Sequence, residues 1–124
     1  MAITYSIDET KGKVYSAFDE NISADDFNTH FRELRGNKSF RSDYIGLLDW
    51  RRVKKIEINP TSMMHISSAC PWGRRSYRAI VSSKIGMYGM SRIFQNLSNP
   101  HNGMVQVFQD FHDAETWLAS LHKQ

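Results

Sequence analysis

The stretch Tyr44–Val53 reads YIGLLDWRRV. Five residues from Tyr44 to Leu48 carry no charge, and such a run predicts a strand over 44–49 buried on both faces. Strands of that kind belong to parallel sheets with helices packed on them. Asp49, Trp50, Arg51 and Arg52 then stand where the strand would leave the sheet. They form either a working site or the place where a buried strand meets water.

The flanking segments show which sheet this strand joins. Ala2–Asp8 alternates, with Ile3, Tyr5 and Ile7 on one face, as a half-buried strand does. A polar turn at Glu9–Gly12 and a second strand over Lys13–Phe18 complete a hairpin. Ser23 then reads as a helix N-cap, with Asp26 placed to answer it in a capping box and Ile22 and Phe27 placed for a hydrophobic staple. Phe27, Phe31 and Leu34 give the helix an apolar face, and Gly36 is its expected left-handed terminator.

Beyond the buried run, Asn59–Pro60 reads as the start of a second helix. Met63, Ile66 and Cys70 line it, and Pro71 ends it. Tyr77–Val81 is a further strand. A third helix opens at Ser83 or Lys84, with Met87, Met90, Phe94 and Leu97 on one face. Asn99–Gly103 is turn chemistry. Met104–Phe108 is the last strand, and a final helix capped by Asp113 carries Ala114, Trp117, Leu118 and Leu121 on one side. The order β-β-α-β-α-β-α-β-α predicts an α/β domain with a mixed, mostly parallel sheet of about five strands and about four helices. The opening hairpin supplies its antiparallel edge, and all 124 residues form one domain.

Composition sets limits on function. With 40% hydrophobic and 23% charged residues the chain is of ordinary globular type. No apolar run approaches a membrane span, and the opening MAITYSIDET lacks signal-peptide anatomy. Cys70 is the lone cysteine, so no internal disulfide argues for secretion, and the cytoplasm is the expected compartment. The net charge of +3 hides a division. Residues 1–30 hold two lysines against six acids, whereas residues 31–96 hold thirteen Lys and Arg against four acids. The basic clusters Arg51, Arg52, Lys54, Lys55 and Arg74, Arg75, Arg78 are either a solvated surface or an attraction for phosphates, anionic headgroups or an acidic partner.

Catalytic spacing is absent. The histidines at 30, 65, 101, 112 and 122 form no HxH or HExxH pair, and one cysteine cannot build a zinc site. His30 reads as a core-edge histidine and His65 as a surface one. Gly86 and Gly89 fit neither a phosphate loop nor a dinucleotide fingerprint, and they read as helix–sheet packing positions. Nothing in the spacing calls for a cofactor or a metal. Aromatic residues are not interleaved with the basic clusters as nucleic-acid binding requires, so nucleic acid is not the expected partner. An enzymatic reading would need Asp49, Asp110 or His112 to converge on one pocket.

The hairpin, the capped helix with Phe27 and Phe31, the run LLDWRRV, the strand YRAIV and the closing VQVFQDFHDAETWL together resemble a known group. They are similar to small bacterial proteins likened to the sporulation anti-sigma-factor antagonist, the SpoIIAA-like or STAS-type fold, itself close to the CRAL-TRIO lipid-transfer domains. The resemblance covers nearly the whole chain and rests on apolar patterns more than on chemical motifs. It implies a non-enzymatic regulatory module that binds a protein partner, a second copy of the chain included. In phosphorylated members a Ser or Thr follows the strand equivalent to 44–49. Here Asp49 matches the strand-end acid, Trp50 and Arg51 occupy the acceptor positions, and Thr61 and Ser62 lie ten or more residues on.

An alternative reading is a carrier or sensor of a small apolar or amphiphilic anion such as a lipid. Met63, Met87 and Met90 would line its pocket, with Asp49, Trp50, Arg51 and Arg52 at a charged rim. Trp50 itself is expected to be partly buried at the C-terminal edge of the sheet, with Arg51 or Arg52 near its face or near Asp49.

Overall fold

The computed structural model describes residues 2–82 and 103–121. These form strands β1 (Ile3–Asp8), β2 (Lys13–Ser23), β3 (Ile45–Glu57), β4 (Tyr77–Val81) and β5 (Met104–Phe108), with helices α1 (Ala24–Gly36), α2 (Pro60–Ser68) and α3 (Phe111–Leu121). The five strands lie in sequence order in one sheet. β1 and β2 are antiparallel, and every later pair is parallel. The mixed, mostly parallel sheet with its hairpin edge is as the sequence predicts. The helix expected from Ser83 or Lys84, which carries Met87 and Met90, lies outside the described residues.

Alternation along the strands sorts the core into two layers. One face of the sheet, with Val14, Phe18, Leu48, Trp50 and Ile80, packs under Phe27, Phe31 and Leu34 of α1 and Met63 and Ile66 of α2. The other face, with Ile45, Leu47, Ala79 and Val81, packs under Ala114 and Leu118 of α3. This two-sided cover is why the 45–49 run has no charge until Asp49.

Local chemistry accounts for the helix boundaries. The Ser23 hydroxyl accepts from the Asp26 amide, and the Asp26 carboxylate accepts from the Ser23 amide at 2.8 Å, so the capping box forms. At the other end Gly36 is the last helical residue and not a left-handed terminator. Asn37 stops the helix instead in an extended conformation (φ −90°, ψ 119°), its amide donating to Leu34 O and its Oδ1 accepting from Ser39 N. Asn59 Oδ1 accepts from the Ser62 amide and starts α2. The cap of α3 is Asp110, whose carboxylate accepts from the Asp113 amide, so the helix starts earlier than a cap at Asp113 would have it.

The largest departure from expectation is the length of β2 and β3. The sheet does not end at Asp49: β3 runs on through RRVKKIE to Glu57 beside an equally prolonged β2. Two register shifts permit this. Ala17 pairs with Asp49 but Asp19 with Arg52, and Glu20 pairs with Val53 but Asn21 with Lys55. Each shift places one extra residue on β3, as a β-bulge does. Trp50, Val53 and Ile56 therefore face the same core at intervals of three, while the charged residues between them face outward. Glu20, the non-glycine residue with positive φ among those described, sits at the second shift.

Candidate functional site

In open parallel sheets, ligands usually meet the protein beyond the C-terminal ends of the strands. Asp49 is level with the end of β4, paired with its last residue Val81 while β3 itself runs on to Glu57, and lies on the α3 face, 7% exposed. Its Oδ1 accepts from the backbone amide of Arg51 at 3.1 Å and from Arg51 Nε at 2.9 Å. Its Oδ2 accepts from Arg51 Nη2 at 2.8 Å and from the Tyr15 hydroxyl at 2.6 Å. Tyr15 comes from the neighbouring strand β2, and Arg51 is two residues along the same strand, hence on the same side. The Arg51 guanidinium lies over the Phe111 ring, 4.2 Å from its centroid, at the start of α3. Phe111 also meets the Tyr15 ring edge-on.

The electrostatics follow from this geometry. Burial alone would push the Asp49 carboxyl up, but the hydrogen bonds from Arg51 and Tyr15 outweigh it and hold the group below the usual carboxylate range. Burial, and then the Asp49 carboxylate, push the Tyr15 hydroxyl up. Hydrogen bonding to Asp49 raises Arg51 further above its already high value. With four donors on two oxygens, Asp49 has no lone pair aimed at an incoming substrate.

The structure does not gather the other sequence-predicted residues around this cluster. Trp50 is 1% exposed, on the opposite face, packed against Phe18 at 5.7 Å between ring centroids. It is core, not a half-buried edge residue, because strand alternation turns it away from Asp49 and Arg51. Met63 is buried in that same core. Arg52 is exposed and pairs with Asp19 at 3.5 Å, as Lys54 does with Glu20 at 3.0 Å. Met87 and Met90 lie outside the described residues. Asp110 is taken up in capping α3, and His112 is exposed on that helix.

Arg78 also leaves the surface cluster in which it was grouped. It is 1% exposed, its Nη1 donates to Cys70 Sγ at 3.3 Å, and it lies near the Trp72 ring. Thr61 and Ser62 stand in the first turn of α2. Because β3 reaches Glu57, they stand four and five residues past its end. Among the described residues no three His, Cys, Asp or Glu side chains come together to hold a metal, and no helix is long and apolar enough to cross a membrane.

Tyr15 was missed because its partner is 34 residues away in sequence. Its alternation with Val14 marked it only as a strand residue. The register that brings it beside Asp49 has no local signal.

No protein-family model matches the chain, and no curated protein matches it. Among solved structures it is similar to an uncharacterized protein of the DUF3478 family, with a SpoIIAA-like fold, from Shewanella loihica PV-4. The two share 14% identity at a TM-score of 0.65, over 94% of this chain and 93% of that one. The fold is SpoIIAA-like. At that identity the likeness concerns the fold and not the activity.

Proposed function

We propose that this SpoIIAA-like domain is a non-enzymatic module that acts by binding a protein partner, a second copy of itself included. The observation that carries this reading is the closed network at the strand ends. Where such a sheet usually keeps its reactive groups, Asp49, Tyr15 and Arg51 satisfy one another, and the carboxylate is taken up as an acceptor. A buried carboxylate held by four donors supports a rigid frame more than a chemical step.

The test is size-exclusion chromatography with light scattering on tagged protein recovered from a bacterial lysate. A stoichiometric complex or a defined self-association is expected. A strict monomer that retains no protein would count against the proposal.

A second reading has one specific observation behind it. A notch of about 580 Å³ opens between α3 and the start of β2 and β3, where Ile45 and Leu118 form an apolar floor and Lys11, His112, Thr116 and the Lys13–Glu115 ion pair lie around it. Such a notch suits a small amphiphilic anion. Native mass spectrometry of freshly purified protein decides this reading. A bound small molecule supports it, and bare protein that also fails to take up a fatty acid removes it.

A further inference from the structure

Among the described residues, four exposed cations without an ion pair gather at the pole where β3 and β4 begin. Three hydrogen-bonded turns meet there. Phe40 N donates to Asn37 O, Tyr44 N to Arg41 O, and Ser76 N to Gly73 O. Lys38 occupies the tip of the first turn, Arg41 opens the second, and Arg74 and Arg75 form the tip of the third.

The second and third turns are tied together by Gly73 N donating to Ser42 O at 2.9 Å. Beneath them Phe40 packs edge-on against the buried Trp72 at 5.1 Å. The Ser76 hydroxyl donates to Gly73 O at 2.7 Å and tightens the third turn. The frame is therefore fixed by backbone bonds and an aromatic pair, while Lys38, Arg41, Arg74 and Arg75 are all exposed. None of the four makes an ion pair or side-chain hydrogen bond with a described residue. Arg51, Arg52, Lys54 and Lys13, by contrast, are each matched to a carboxylate. Asp43 is the acid set among these turns.

We propose that this turn-borne basic pole is the docking surface for an acidic segment of a protein partner. The proposal deepens the protein-binding reading and rests on it. Fixed turns hold the cations at little cost in further ordering, and unneutralised charges raise the encounter rate with an oppositely charged surface. Two features favour a polypeptide over other polyanions. Trp72 is buried, and the half-buried Phe40 and Tyr44 are packed edge-on against their aromatic neighbours, so bases would find no open stacking platform. The turn tips are polar or charged and offer no apolar anchor of the kind that holds an interfacial segment in a lipid surface.

The experiment compares the wild type with two charge-matched triple variants. Lys38→Gln/Arg74→Gln/Arg75→Gln neutralises the turns, and Arg52→Gln/Lys54→Gln/Lys55→Gln neutralises the opposite pole. All six side chains are exposed, and thermal melting verifies that both variants fold. The probes are a short poly-glutamate peptide, vesicles of mixed phosphatidylserine and phosphatidylcholine, and a duplex DNA oligonucleotide, each at low and physiological salt. The expected result is salt-weakened binding of the peptide, reduced about tenfold or more in the turn variant and unchanged in the other. Absence of peptide binding at low salt, equal loss in both variants, or tighter binding of vesicles or duplex than of peptide would each overturn the proposal. If the wild type still recovers a protein partner and the turn variant recovers it equally well, the docking surface is refuted while the protein-binding reading stands.

Discussion

Trp50 shows how a residue placed among charges becomes structural, and His30 shows how a core residue gives the fold a pH dependence. Trp50 is flanked by an acid and two arginines, yet its indole is packed against Phe18 and shares the core with Val53 and Ile56. Trp50→Ala should cost about 3–5 kcal/mol of stability, read as a lowered urea midpoint. A variant that melts like the wild type would place the indole outside the core. His30 is 2% exposed among Tyr5, Phe18 and Phe31, with Nε2 3.1 Å from the Ser16 hydroxyl. Burial lowers its pKa to about 4, so the folded protein holds the ring neutral. A depressed histidine contributes stability that is present above its unfolded pKa of roughly 6.5 and is lost as pH falls toward its folded value. A shift of that size corresponds to roughly 3 kcal/mol. His30→Gln should therefore lose less stability than the wild type between neutral pH and the folded pKa, and the wild-type ring should titrate near 4 by NMR. Equal pH dependence in the two proteins would contradict the assignment. The core-edge placement of His30 was legible because it falls on the apolar face of a strongly periodic helix. The Tyr15–Asp49 bond was not, because it depends on strand register.

At the level of elements, features written in adjacent residues were readable and features set by pairing were not. The capping box of α1 is complete within four residues, and it forms as the sequence predicts. The end of β3 was misplaced because a charged run with apolar residues three apart looks like a loop. Only the bulges against β2 turn that spacing into one buried face. A related constraint lies at Gly46, in the doubly covered half of β3. A Cβ there would stand 2.8 Å from Trp72 Cη2 and 3.2 Å from Arg78 Cγ, both belonging to buried side chains. Gly46→Ala should destabilise by about 1–3 kcal/mol through overpacking, again read from urea unfolding. A neutral or stabilising outcome would mean that the Trp72 and Arg78 layer is loose. The strand propensity of alanine would not account for so large a cost, so the two explanations separate.

At the scale of the molecule, the described cations are matched differently at the two poles. Toward the C-terminal ends of the strands, Arg51, Arg52 and Lys54 are spent on Asp49, Asp19 and Glu20, and Lys55 is unmatched. At the N-terminal ends, Lys38, Arg41, Arg74 and Arg75 project from turns with no carboxylate matched to them. The sequence showed that the middle of the chain is basic, but a linear count cannot separate a buried Arg78 from an exposed Arg75 three residues away. It also could not join Lys38 and Arg41 to Arg74 and Arg75, which meet only because the loops before β3 and β4 are hydrogen-bonded together. On the proposed function, the Asp49 cluster is scaffold and the domain works by association with a protein. The most direct test is to recover tagged wild type and Asp49→Asn/Arg51→Gln side by side from the same lysate, and to measure the partner bound per folded molecule. Losing charge-assisted hydrogen bonds at a buried carboxylate should lower stability by roughly 2–3 kcal/mol. That lower stability is expected together with an unchanged ratio of partner to folded protein. Loss of the partner from a variant that remains folded would contradict it, because the cluster would then be the recognition site itself.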